Sequence, residues 1–170
     1  MPPAPQHRTV LNWIQPSPAE RFEIYSELGI PQAVLTITRP VQATLESRFG
    51  SYQIQRLPKS GSIAVTDLGG STIATIRSSL WGRFYVTFDD GRELRFNASN
   101  VFRSRWLWSS TDGETQAVVQ QNRIFFAPEW PIGDGLSALL AGLTIYFTVT
   151  KPSLFKRFMV FGLQLTVFSG

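Results

Sequence analysis

Residues Leu136 to Val149 read LSALLAGLTIYFTV, fourteen consecutive positions without a charge, and they follow about ten short segments of strand composition. A run that is apolar on every side suits a helix buried all round or one in a membrane; an amphipathic surface helix would carry a polar stripe. As a helix it would reach only ~21 Å, against ~30 Å for a bilayer core. Protein is therefore the expected surrounding, and the preceding strands can supply it.

One domain is the natural reading of 170 residues, enough to bury roughly two thirds of the unfolded surface. Thirteen Phe and five Trp provide bulk for a large core. The absence of Cys removes disulfides, thiolate zinc sites and thiol nucleophiles, and fits a reducing compartment. We expect a cytoplasmic protein, peripheral at a membrane if it meets one. The single histidine, His7, has no second ligand or nucleophile beside it, so neither a metal site nor a cofactor is expected. A net charge of +4 with scattered basic residues favours weak attraction to anionic surfaces.

The first eighteen residues, MPPAPQHRTVLNWIQPSP, hold five prolines and no apolar core of signal-peptide length, so no secretory signal is expected. We read residues 1–20 as a Pro-rich arm, in which Val10 to Ile14 can form a short docking segment around Trp13. An ordered domain is then expected over 21–150. Its strand-like segments are RFEIYSE, QAVLTITR, QATLESRF, SYQIQRL, SIAVTD, TIATIRS, RFYVTFD, ELRFNAS, VFRSRWLW and ETQAVVQQNRIFFA. Their spacing suggests a meandering all-β barrel or sandwich.

Two hairpins are fixed by register. A two-residue loop at Asp90 and Gly91 would set Phe84, Val86 and Phe88 against polar partners. A three-residue loop at Asp89, Asp90 and Gly91 instead pairs Val86 with Leu94 and Phe84 with Phe96, leaving Tyr85 with Arg95 and Thr87 with Glu93 outside. Gly91 then takes the left-handed position of the bulge. A loop at Gly69 and Gly70 likewise pairs Val65 with Ala74 and Ile63 with Ile76. After the strands, Asp134 is the expected N-cap, and Pro152 predicts a helix end near Thr150. The β-branched stretch LTIYFTVT leaves a change from helix to strand open.

No phosphate loop, dinucleotide motif or nucleophile elbow occurs. The carboxylates Asp89, Asp90 and Glu93 have the composition for acid/base chemistry or a hard cation, but a bulged hairpin turn accounts for them. Glu129 and Asp134 flank the start of the helix, and capping accounts for Asp134. In VFRSRWLW, Arg103 and Arg105 share one face while Phe102, Trp106 and Trp108 share the other. With Arg83, Arg92 and Arg95 they make the best basic patch in the chain, suited to phosphate or lipid headgroups. Arg interleaved with aromatics also suits single-stranded nucleic acid, but a barrel needs those aromatics inside, so nucleic acid is not expected.

The segment SYQIQRLPKSGSIAVTDLGGSTIATIRSSLWGRFYVTFDDGRELRF, with its turns TDLGG and FDDG and the looser RFEIYSELG before it, resembles the tubby C-terminal-like superfamily, in particular the scramblase and LURP-one-related branch. The resemblance covers about Arg21 to Thr150. It implies a mainly β fold: a closed antiparallel β-barrel of about twelve strands around a central hydrophobic C-terminal helix, which LSALLAGLTIYFTV (136–149) would be. The chain departs from that pattern in lacking Cys and an acidic cation-binding stretch, and in carrying an apolar tail, 151–170.

The expected function is that of a non-catalytic binding module, contacting anionic lipid headgroups, a membrane surface or a protein partner. Its contact residues would be Arg83, Arg92, Arg95, Arg103 and Arg105, with Lys151, Lys156, Arg157 and Phe158 as a membrane or partner contact. The tail could also close the barrel as a strand, or form an amphipathic helix at its mouth. One alternative is an integral, scramblase-like membrane protein anchored by 136–168; the other is an enzyme of unknown type.

Overall fold

The computed structural model describes residues 9–16, 20–39, 41–79, 82–99, 105–130 and 135–150, and follows the backbone of the last helix on to Leu165. The strands are β1 (Val10–Ile14), β2 (Arg21–Ser26), β3 (Pro31–Arg39), β4 (Gln42–Ser47), β5 (Gly50–Arg56) and β6 (Ile63–Asp67), then β7 (Thr72–Ser78), β8 (Phe84–Phe88), β9 (Glu93–Ala98), β10 (Arg105–Ser110), β11 (Thr115–Gln120) and β12 (Arg123–Phe126). Each pairs antiparallel with its neighbour in sequence, and β1 joins β12, so that the sheet closes as a barrel. The helix α1 (Leu136–Leu165) threads it. This is the mainly β, closed antiparallel barrel with a hydrophobic helix that the sequence leads one to expect.

Both predicted hairpin registers are present. Val86 faces Leu94, Phe84 faces Phe96, Tyr85 faces Arg95 and Thr87 faces Glu93, while Val65 faces Ala74 and Ile63 faces Ile76. Gly91 sits at φ 85°, as the three-residue loop requires. The chemistry behind these pairings is the two-residue period of a strand: Phe84, Val86 and Phe88 are buried while Tyr85 and Thr87 are only half-buried.

Three boundaries differ from expectation. The barrel begins at Val10 rather than Arg21, because β1 closes the gap between β12 and β2. Leu11 points into the core, and Asn122 grips Trp13 twice: the Trp13 N–H donates to the Asn122 carbonyl at 3.1 Å, and Asn122 Nδ2 donates to the Trp13 carbonyl at 2.9 Å. The last strand segment is two strands, folded at Gln121 and Asn122, where Gln121 adopts φ 55°, uncommon for a residue with a Cβ. The helical backbone runs past Thr150 and Pro152 to Leu165. A proline removes one ladder bond from a helix, and here that loss does not end it.

LTIYFTVT is helix throughout, with its hydroxyls turned back onto the backbone. Thr144 Oγ1 donates to the Leu140 carbonyl at 2.7 Å, Thr148 Oγ1 to the Thr144 carbonyl at 2.9 Å, and Thr150 Oγ1 to the Tyr146 carbonyl at 2.6 Å. That pattern lets threonines sit in an apolar interior without an orphaned group. Leu139, Leu140, Leu143, Ile145 and Phe147 are all essentially inaccessible, on every side of the helix. Each such side chain contributes roughly 1.5–3 kcal/mol relative to exposure.

The helix is packed off-centre. It contacts β2, β3 and β4, where the barrel presents the small side chains Ala33 and Ala43 and the helix presents Gly142 against Leu45. The opposite wall fills the wider gap with aromatics. Phe147 stacks on Phe84 at 4.0 Å between centroids and meets Phe96 and Trp108 at 5.5 and 6.1 Å. Large residues where the gap is wide and small ones where it is narrow fill the space between helix and wall.

Candidate functional site

In a meander, successive turns alternate between the two ends of the barrel. The helix enters at one end, the upper rim, where Gly135 and Ser137 share a cleft of about 230 Å³ with Gln32, Arg48 and Phe49. It leaves at the other, the lower rim, where Phe147 meets Phe84 at the start of β8. The turns of the upper rim are those after β2, β4, β6, β8 and β10, and those of the lower rim follow β1, β3, β5, β7, β9 and β11.

Charge is divided between these ends. The upper turns carry Glu27, Asp67, Asp89, Asp90, Asp112 and Glu114, joined by Glu46 near the top of β4, Glu93 at the start of β9 and Glu129 beyond β12. Their only basic companions among the described residues are Arg48 and Arg92. At the lower rim stand Arg39, Lys59, Arg83, Arg105 and Arg123, with Arg21, Arg56 and Arg77 close to the same end of their strands. Only Glu20 and Glu23 oppose them among the described residues.

The five arginines of the expected patch are not gathered in one place. Arg92 lies at the upper rim, where its Nε donates to Asp90 Oδ2 at 2.6 Å and its guanidinium lies 5.8 Å from the Phe88 ring centre. The Arg92 backbone N–H on Asp90 Oδ1, with the guanidinium beside it, holds the Asp90 carboxyl below its ordinary range. Arg95 points outward from the middle of β9, 6.0 Å over the Tyr85 ring. Arg83 and Arg105 are exposed at the lower rim, which β9 and its flanks separate from Arg92 by about 23 Å at ~3.3 Å per residue. Arg103 and Asp134, with His7 and the side chains of Lys151, Lys156, Arg157 and Phe158, lie outside the described residues.

Among the described residues, the carboxylate partners of basic groups are Asp90 for Arg92 and Glu23 for Arg21. Arg39, Lys59, Arg77, Arg83, Arg95, Arg105 and Arg123 form no ion pair there. One member of the outward face escapes the sequence reading: Arg77 pairs in register with Tyr85, and Tyr85 with Arg95, so that two cations flank one aromatic ring. The signal was present, because once Tyr85 is assigned to the outer face, β7 must place Arg77 beside it.

The carboxylates near Gly91 serve the turn: Asp90 binds Arg92, and Glu93 Oε1 accepts from Thr87 Oγ1 at 3.0 Å. A groove of about 430 Å³ runs along the outside of β10 to β12, between Arg105 and Glu129, over Val118 and Phe125. Its two ionisable groups do not form a nucleophile and base pair. No group of three metal-binding side chains occurs among the described residues. No protein-family model, curated protein or solved structure matches the chain.

Proposed function

We propose that this chain is a non-catalytic binding barrel of tubby-like type whose basic outer surface holds an anionic partner, the phosphate-bearing headgroups of a membrane surface. The observation that carries this reading is the set of exposed arginines without carboxylates, Arg83, Arg95 and Arg105 with Arg77. A solvated surface ordinarily mixes its signs, and cations left unpaired remain available for bidentate bonds to phosphate oxygens. The helix supports a peripheral rather than an integral role, because Leu136 to Phe147 are enclosed by the barrel except for the half-buried Ser137. No helix among the described residues is long and apolar enough to cross a membrane.

Co-sedimentation with phosphatidylserine-containing vesicles, against pure phosphatidylcholine, tests the proposal. Binding is expected to the anionic vesicles only, to fall as salt rises, and to be lost in the double variant Arg83→Glu with Arg105→Glu. Equal binding to both vesicles, or a double variant that binds like the parent, would refute it.

A further inference from the structure

We infer that the barrel docks end-on, with its lower rim against an anionic bilayer and its acidic upper rim turned away. The inference rests on the anionic-surface reading above and adds the geometry of contact. A side-on contact would need cations concentrated on a few neighbouring strands. Instead, unpaired basic side chains occur all around the lower rim: Arg39 on β3, Lys59 between β5 and β6, Arg83 before β8, Arg105 on β10 and Arg123 on β12. In the circular strand order these positions recur every two or three strands, so that no side of the barrel is without one.

The acidic rim fixes the orientation. A strand of six residues spans about 20 Å, roughly two Debye lengths at 0.1 M salt. With the lower rim at the surface, the upper carboxylates are therefore screened from the headgroups, whereas an inverted barrel would press them together. A side-on pose would bring some of each sign to the surface and cancel much of the attraction. Exposed apolar side chains stand at both ends, Ile14, Leu57 and Val149 at the lower rim and Leu28, Ile30, Phe49 and Leu68 at the upper, so it is charge that distinguishes the ends.

The lower rim is also where the helix leaves. Val149, half-exposed on α1 at the mouth, is encircled by the basic ring, and the helical backbone continues outward from it to Leu165. An apolar centre ringed by cations is the arrangement that an interfacial contact uses, apolar groups entering the acyl boundary and cations remaining with the headgroups.

The test is a charge-reversal scan of the full chain on phosphatidylserine–phosphatidylcholine vesicles, with each variant's thermal unfolding checked against the parent. Arg39 on β3 lies across the barrel from the Arg83 and Arg105 side, Lys59 and Arg123 lie between, and each is changed to Glu in turn. End-on docking predicts that each weakens binding roughly tenfold, as Arg105→Glu does, while Glu46→Arg at the upper rim changes it by less than about twofold. Loss confined to Arg83→Glu, Arg95→Glu and Arg105→Glu would overturn end-on docking and leave the anionic-surface reading standing. A parent protein that ignores phosphatidylserine, or prefers a soluble polyanion such as heparin to the vesicles, would overturn both.

Discussion

The indole Nε1 of Trp108 donates to the hydroxyl of Thr144 at 2.9 Å, and both side chains are fully buried. Trp108 belongs to the barrel wall and Thr144 to the helix. The same hydroxyl donates to the Leu140 carbonyl at 2.7 Å, so one oxygen links the wall to the helix backbone. In a dry interior an unmade bond of this kind is expensive, which pins the rotation and depth of a helix that is otherwise apolar all round.

Thr144→Val keeps the shape and removes the acceptor, leaving the indole N–H buried without a partner. A loss of about 1–3 kcal/mol in urea unfolding is expected. In a Trp108→Phe background the same substitution costs clearly less, because the donor is gone. Equal losses in both backgrounds would show that the bond does not couple the two elements.

The close approach of helix and wall at Gly142 is equally specific. A Cβ there would lie 2.8 Å from both terminal methyl carbons of Leu45, a side chain with no exposure and little room to move. Alanine gains about 1 kcal/mol in helix propensity, against roughly 1–3 kcal/mol for overpacking. Gly142→Ala is therefore expected to lower the melting temperature, and a companion Leu45→Ala to cost less in that background than in the parent.

Tyr146 gives the fold a sensitivity to alkali. Burial raises its phenol above the ordinary value of 10.0, with Arg56 partly opposing the effect. The folded state then holds its proton where the unfolded chain releases it, so this contribution is present below pH 10 and is lost as pH rises through the folded value. Melting temperatures should fall more steeply above pH 10 in the parent than in Tyr146→Phe; parallel curves would remove Tyr146 as the cause.

Arg92 provides a functional contrast. Like Arg105 it is exposed, but it is paired with Asp90 at the acidic rim. Arg92→Glu is expected to leave vesicle affinity within about twofold of the parent, whereas Arg105→Glu lowers it roughly tenfold. Equal losses would mean that net charge alone, and not its placement, governs binding.

Much of this fold is legible because short-range rules fix it. The period-two burial of Phe84, Val86 and Phe88 and the glycine at 91 determine the hairpin register without reference to anything distant. The first strand is obscured by its setting among prolines, since what places Val10 to Ile14 in the sheet is pairing with β2 and with β12, the latter more than a hundred residues away. Gln121 hid the last turn, because its left-handed backbone has no glycine to announce it. For the site, strand alternation identified Arg95 and Arg105 as outward. The division of charge is hidden when charges are grouped by neighbouring strands, because each strand runs from one rim to the other. Sorting the turns of the meander into odd and even would have separated Glu27, Asp67 and Asp112 from Arg39, Lys59 and Arg83.

The most direct test of end-on docking uses the chain's lack of cysteine, which allows a single spin label to be placed at will. Leu57 and Leu68 are both exposed, at the lower and upper rims respectively. With Leu57→Cys and Leu68→Cys labelled in turn, relaxation by a water-soluble paramagnetic agent is measured on phosphatidylserine-containing vesicles. The account predicts that the label at 57 becomes shielded on binding while the label at 68 stays as accessible as in solution. Shielding at 68, or equal accessibility at both positions on vesicles that carry bound protein, would contradict it.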